Sequence, residues 1–230
     1  IRLTEQTPHR AGHQRQVWYL LALVPTFTFG MNLHFTGVAD ALADNGLPGK
    51  LDVLPDRSPA SVRAAWHKAL RKYVPYYAKH YGFYPALAGP LWWKVLAGNV
   101  AAEVLRDVYS AATIYCGHVG ADVASWPEGT KPASRGEWYA MQIAATNNFE
   151  VSTPVSILCG GLDRQIEHHL FPTLPPNRLR EIAPEVRVIA ARHGFAYKTA
   201  SWGRTLRKAL GHIRDLAKTD GARAVLREAA

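Results

Sequence analysis

From Val17 to Val38 the chain runs for 22 residues without a formal charge, VWYLLALVPTFTFGMNLHFTGV, long enough as a helix to cross about 30 Å of hydrocarbon. Trp18 and Tyr19 would lie at the interface where it enters, and Pro25 and Gly30 would kink or interrupt it. A buried core helix of a soluble protein is the alternative. A second apolar stretch, Gly82 to Ala102, is broken only by Lys94. It continues helically past Glu103, Arg106 and Asp107 into Val108 to Tyr115, and Gly117 ends it. Between the two stretches, residues 39–58 are polar and punctuated by Asn45-Gly46, Pro48-Gly49 and Pro55, which predicts a loop. Ser58 as cap and Pro59 in the first turn then open a helix. One side of it carries Val62, Ala65, Trp66, Leu70, Tyr73 and Val74, the other Arg63, Lys68, Arg71 and Lys72. That is the composition of a helix lying on headgroups, with a solvated face on a soluble helix as the alternative.

Past His118 a loop rich in Gly and Pro leads to a helix capped at Ser134, with Glu137 three residues on. Trp138, Met141, Gln142 and Ala145 line one of its faces. Asn147 and Asn148 end it, as a cap or as an amide holding a metal-bound water, the cap being preferred. After Pro172, Pro175 and Pro176 a further helix turns Leu179, Ile182, Val186 and Ile189 inward and stops at Gly194. Residues 201–217 predict a basic amphipathic helix. The pattern is helical throughout, and the expected fold class is all-α.

Composition alone fits an ordinary globular chain: 230 residues, 48% hydrophobic, mean hydropathy −0.14. Charge changes the picture. The net charge is +9, yet no Lys/Arg run exceeds two residues and the basic positions are interleaved with Trp and Tyr. This favours an anionic membrane surface over nucleic acid. Cys116 and Cys159 are too few for a disulfide scaffold and form no Cys-x-x-Cys pair.

The candidate chemistry lies in Gly160-Gly161-Leu162-Asp163-Arg164-Gln165-Ile166-Glu167-His168-His169-Leu170-Phe171-Pro172. In a helix beginning after Gly161, Gln165, His168 and His169 fall at i, i+3 and i+4 and share a face. Glu167 lies about 200° from Gln165 and is better placed to orient than to ligate. A capping or solvent-facing His-His pair is the plainer reading. His118 ends the long second helix, where a histidine also suits the helix dipole. His34 and His193 are read as packing or dipole partners.

GGLDRQIEHHLFPTLPPNRLREIAP resembles the third histidine box of the membrane fatty acid desaturases, in the branch where glutamine opens the box. IYCGHV, SRGEWYAMQIAATNNFE and VRVIAARHGFAYKTASWGRTLRKAL extend the resemblance over most of the chain, most strongly from about Leu91 to Leu210. It implies an oxygen-dependent oxidoreductase that inserts a double bond into acyl chains, with two irons in the complete protein. His118, His168 and His169 would be ligands; Gln165, Glu167 and Asn148 would be outer partners or uncertain ligands. It also implies an acyl-CoA or acyl-lipid substrate, an external electron donor (a ferredoxin or small haem protein with its reductase) and a multi-pass membrane location. Membrane helices at about 17–38 and 82–115 would carry a cytoplasmic helical cap, residues 116–230, with the metal site on the cytoplasmic side. The family's first two histidine boxes are absent and the chain opens at Ile1, so the expectation is the C-terminal part of a longer protein, inactive alone.

Two alternatives stay open. One is an acyl-chain hydroxylase of similar histidine-box design. The other is a basic membrane-associated module with Cys116, His118, Cys159 and His168 around structural zinc, although these spacings match no zinc pattern. The orientation also carries a conflict. Residues 39–80 hold seven Lys/Arg against three before Val17, opposing the positive-inside rule unless the first stretch is re-entrant or upstream spans dictate the topology.

Overall fold

The computed structural model describes residues 1–42, 53–127 and 129–220. It is mostly helical. A 3-10 turn at Ala11–Arg15 leads into α1 (Gln16–Leu23), α2 (Phe27–Thr36), α3 (Val38–Leu42) and α4 (Pro59–Tyr77). A π-helical turn at Ala78–Phe83 joins α4 to α5 (Tyr84–Leu87), and a 3-10 turn at Gly89–Leu91 precedes α6 (Trp92–His118). Then come α7 (Arg135–Ala144), β1 (Asn148–Glu150), α8 (Thr153–Leu158), a 3-10 turn at Leu162–Arg164, α9 (Gln165–Leu170), α10 (Pro176–Arg192), β2 (Thr199–Ser201) and α11 (Trp202–Leu216). The chain divides into two compact units, one formed by Ala22–Tyr109 and the other by Ile1–Leu21 with the chain from Ser110.

Both expected spans are corrected. The uncharged stretch from Val17 to Val38 is two helices, because the chain turns at residues 24–26 around Pro25 and α2 stops at Gly37, whose φ is +85°. Proline lacks the N–H that would continue the first helix and its ring crowds the preceding turn. The second stretch is likewise cut, by the turn at residues 88–91; before it the π-helical segment at 78–83 carries α4 on into α5 without a break. α6 has 27 residues, about 40 Å, but carries Lys94, Glu103, Arg106 and Asp107. Among the described residues no helix is both long and apolar enough to cross a membrane.

Within Ala22–Tyr109 the charges of α6 are put to use. Asp107, 2% exposed, accepts from the Thr28 backbone N–H at 3.1 Å and from its hydroxyl at 2.6 Å, capping the free N–H groups at the start of α2. Arg106 lies against the same carboxylate at 2.9 Å and against Glu103 at 3.0 Å, and donates to the Tyr76 hydroxyl. Ser58 caps α4, accepting from Ser61 N–H. Val38, Leu54, Ala65 and Ala69 form the small core here. Of the predicted loop, residues 43–52 with Asn45-Gly46 and Pro48-Gly49 lie outside the described residues, while Val38–Leu42 is helical.

The other unit packs α7, α9 and α10 around Ile143, Ile166, Leu170 and Val186. Ser134 caps α7 as expected, its Oγ accepting from Glu137 N–H at 3.1 Å. On α10, Leu179, Ala183, Val186 and Ala190 are buried, but Ile189, expected inward, is 45% exposed. The all-helical expectation misses one element: β1 and β2 pair in parallel, Asn148 with Thr199 and Glu150 with Ser201. Phe149 stacks on Trp202 just below that pair, at 5.5 Å between ring centres. α11 turns Thr205, Ala209, Ile213 and Leu216 inward. The N-terminal segment ties onto it: Gln16 accepts from Arg2 N–H at 2.7 Å and donates to the Ile213 carbonyl, and His9 meets the Ala217 carbonyl at 3.0 Å.

Candidate metal centre

Three imidazoles lie in a row in the unit that contains α7, α9 and α10, His169 between the other two. His118 is the last residue of α6, which runs one residue further than Gly117. His168 and His169 sit in the last turn of α9. The His118 and His169 ring centres lie 4.9 Å apart at 66°, and those of His168 and His169 5.7 Å apart at 83°.

The approach to α9 depends on glycine. Gly160 and Gly161 take φ of +61° and +76°, a region costly for any residue with a Cβ. At Gly161 a Cβ would also stand 2.8 Å from Pro176 Cβ and 2.9 Å from its carbonyl oxygen, so the turn lets α10 start directly against it. Asp163, fully buried, accepts from Ser156 Oγ and from Arg180 at 2.9 Å, and Arg180 also donates to the Val151 carbonyl. A buried carboxylate so paired fixes where the box helix begins.

The two faces of α9 do different work. On one, the Gln165 amide meets His118 Nε2 at 2.8 Å. Its Cγ would stand 2.8 Å from a Cβ at Gly117, so the glycine is what admits it. His169 Nδ1 donates to Gln142 Oε1 of α7 at 2.9 Å, which leaves its Nε2 with the lone pair. On the other face, Glu167 is fully buried and accepts from Asn148 Nδ2 at 2.8 Å and the Tyr197 hydroxyl at 2.6 Å. Asn148 Oδ1 accepts from Ile166 N–H at 2.8 Å. The orienting part expected of Glu167 matches this geometry. The cap expected of Asn148 is corrected: the C-cap of α7 is Ala145, and Asn148 belongs to β1, where it bonds Glu167 and the start of α9.

Burial holds His118 below the usual histidine range, with the His168 charge adding to the effect. One edge of its ring stays open to solvent, onto a polar cavity of about 340 Å³ shared with residues 3–6 and His212. His169 is pushed down to about 4, by burial first and then by His118 and His168. Both rings are therefore neutral near pH 7, the form that offers a lone pair to a metal; His169 keeps its own at Nε2, while that of His118 Nε2 accepts from the Gln165 amide N–H. The donor set fits iron in kind, but it is incomplete: among the described residues no three His, Cys, Asp or Glu side chains converge on one point. This also weighs against zinc at Cys116, His118, Cys159 and His168; both cysteines are buried and neither is in a disulfide. Gln142, Tyr197, Asp163 and Arg180 are functional neighbours that sequence reasoning does not single out. Only Gln142 leaves a trace, as a lone amide among Trp138, Met141 and Ala145.

Beyond His169 the chain enters an apolar cavity of about 460 Å³, lined by Tyr139, Ile143, Leu170, Phe171, Val186 and Ile189.

A family profile described as fatty acid desaturase matches residues 4–201. The chain belongs to the fatty acid desaturase family. It is 36% identical over 136 residues to an NADPH-dependent stearoyl-CoA 9-desaturase of Mycobacterium tuberculosis, covering 54% of this chain and 30% of that protein. To an acyl-lipid (9-3)-desaturase of Physcomitrium patens it is 31% identical over 126 residues, 55% of this chain and 22% of the relative. To fatty acid desaturase 3 of Bos taurus it is 45% identical over 62 residues, 27% of this chain and 14% of the relative. The chain thus spans less than a third of the length of these relatives. No solved structure matches it.

Proposed function

We propose that this chain is the C-terminal part of an oxygen-dependent fatty acid desaturase, of the branch whose third histidine box opens with glutamine. The observation that carries the reading is the succession of neighbouring imidazoles His118, His169 and His168, the middle one with Nδ1 committed to Gln142. His118, His168 and His169 would hold part of a two-iron centre, and upstream histidine boxes would supply the remaining ligands. Iron so held supplies the oxidising power, drawn from dioxygen and external electrons, that an unactivated methylene requires. The chain's own residues orient that centre: Gln142 fixes the His169 tautomer, Gln165 seats against His118, and Glu167 with Asn148 and Tyr197 holds α9 in place.

The substrate is a fatty acyl chain carried on CoA or lipid. In support, the apolar cavity begins at Leu170, the residue after His169, and excludes polar groups from most of its wall. Electrons come from a separate donor, a ferredoxin or a small haem protein with its reductase. A membrane location for the complete protein, with the histidines on the cytoplasmic side, belongs to the same reading; the apolar composition of the stretches around α1, α2 and α5 supports it.

The test expresses the gene with its upstream coding sequence in a host supplying a competent reductase, beside a His168→Ala, His169→Ala variant. The expected result is about two irons per chain and new unsaturated acyl chains, both lost in the variant, with this chain alone inactive. Bound zinc, or hydroxylated product in place of unsaturated product, would overturn the assignment.

A further inference from the structure

We propose that the C-terminal end of α11 and the start of α1 form a binding site for an anionic phospholipid headgroup, which goes beyond the desaturase reading and does not depend on it. A shallow groove of about 520 Å³ runs between them, lined by Gln14, Val17, Trp18, Arg214, Ala217 and Lys218. One side is apolar and aromatic. Trp18 is 72% exposed, with Val17 beside it at 41% and Leu21, one helical turn on, at 69%. The other side is cationic. Arg214 is exposed and makes no side-chain ion pair or hydrogen bond among the described residues, lying near enough to Asp215 to help lower its carboxyl. Lys218 pairs with Asp215 at 2.9 Å on the exposed rim, so the groove keeps a net positive charge.

The combination selects the ligand. A cationic patch alone would suit an acidic protein as well as a lipid, since the long-range attraction is the same. A large indole left in water next to it has a use only where one end of the ligand is apolar, as at the headgroup level of a bilayer. Basic residues at that level attract anionic lipids. The groove is also held in shape: Gln16, fully buried, bonds Arg2 and the Ile213 carbonyl, and His9 bonds the Ala217 carbonyl, fixing α1 against α11. Arg214 and Lys218 lie beyond residue 201, where the family match ends, so the cationic side of the groove is outside the matched family region.

The experiment titrates the full chain, in a non-ionic detergent, with dioctanoyl phosphatidylglycerol, dioctanoyl phosphatidylcholine and glycerol phosphate, reading tryptophan fluorescence. Phosphatidylglycerol should give a saturable blue shift that phosphatidylcholine and glycerol phosphate do not. Trp18→Phe should abolish the signal. Arg214→Gln with Lys218→Gln should weaken binding about 30-fold, about fivefold for each charge, with an unchanged circular dichroism spectrum. Equal responses to the two lipids would reduce the groove to apolar partitioning, and an equal response to glycerol phosphate would make it a free phosphate site; either overturns the proposal. So would no response, a full response in Trp18→Phe, or capture of a polyglutamate peptide without any response to lipid.

Discussion

Gly117 and Gln165 are in contact only because one of them has no side chain: a Cβ on Gly117 would stand 2.8 Å from Gln165 Cγ. Helix propensity alone would make alanine at this position more stable by about 1 kcal/mol. The close approach reverses that sign. Gly117→Ala should push Gln165 off His118, cost about 1–2 kcal/mol in place of the gain, and leave the His118 ring as a mixture of tautomers. Nitrogen-15 NMR of the imidazoles reads this directly, and unchanged His118 signals would refute it.

Gln142 is expected to matter more for metal than for folding. Gln142→Leu removes the acceptor for His169 Nδ1–H and should weaken iron binding by about 10–100-fold in the upstream-extended protein. Gln142→Glu, which still offers an oxygen, should recover most of it. Loss of the same size in both variants would mean the contact is packing alone.

Behind the box, Asn148 makes three hydrogen bonds, to Glu167, Tyr197 and the Ile166 N–H. Removing them around a buried carboxylate should cost about 3 kcal/mol in Asn148→Ala, and about 1.5 kcal/mol in Tyr197→Phe. Because the groups share one network, the double variant should lose less than the two losses added. Urea unfolding measures all three.

Asp107 serves α2 across sequence distance. Asp107→Ala should destabilise the Ala22–Tyr109 unit by about 2 kcal/mol, at the upper end for a lost N-cap because Arg106 is left beside it without that carboxylate. Hydrogen exchange should show faster amides at Phe27, Thr28 and Phe29. Protection unchanged at those amides would mean that the turn around Pro25 is held some other way.

The pH dependence of the metal-free chain follows from His169. Its pKa falls from the ordinary histidine value of 6.5 to about 4 on folding, through burial and then the charges of His118 and His168. Between those values the unfolded chain binds a proton that the folded chain refuses, so stability rises with pH across that window and is flat above it. Lowering the pH from 7 to 4.5 should reduce the urea midpoint, and His169→Gln should flatten the slope.

Helices were legible where local chemistry decides them. Ser58 with Pro59, and Ser134 with Glu137, announce α4 and α7 because a cap satisfies N–H groups within one turn. The shared face of Gln165 and His169, and the opposite placement of Glu167, followed from helical spacing. What escaped is non-local. The Asp163–Arg180 pair and the Tyr197–Glu167 bond join residues 17 and 30 positions apart, and no periodicity reports them. The strand pair was hidden because three residues leave no alternation to read. The interruption at Pro25 was expected, but the reading of the two stretches as spans misled, because an absence of charge says nothing about whether a turn such as Gly89-Pro90 ends the helix.

The β1–β2 pairing has a further consequence. It returns the chain at Thr199 to the place it left at Asn148, so the residues between them leave and re-enter at one point. The glycine turn, the box helix and α10 together make an interchangeable cassette: its two ends are adjacent, and, among the described residues, the polar contact a recipient would have to provide for Glu167 is an asparagine at the entry strand. Chimaeras among family members should tolerate exchange at this seam far better than at any cut between Gly161 and Pro176.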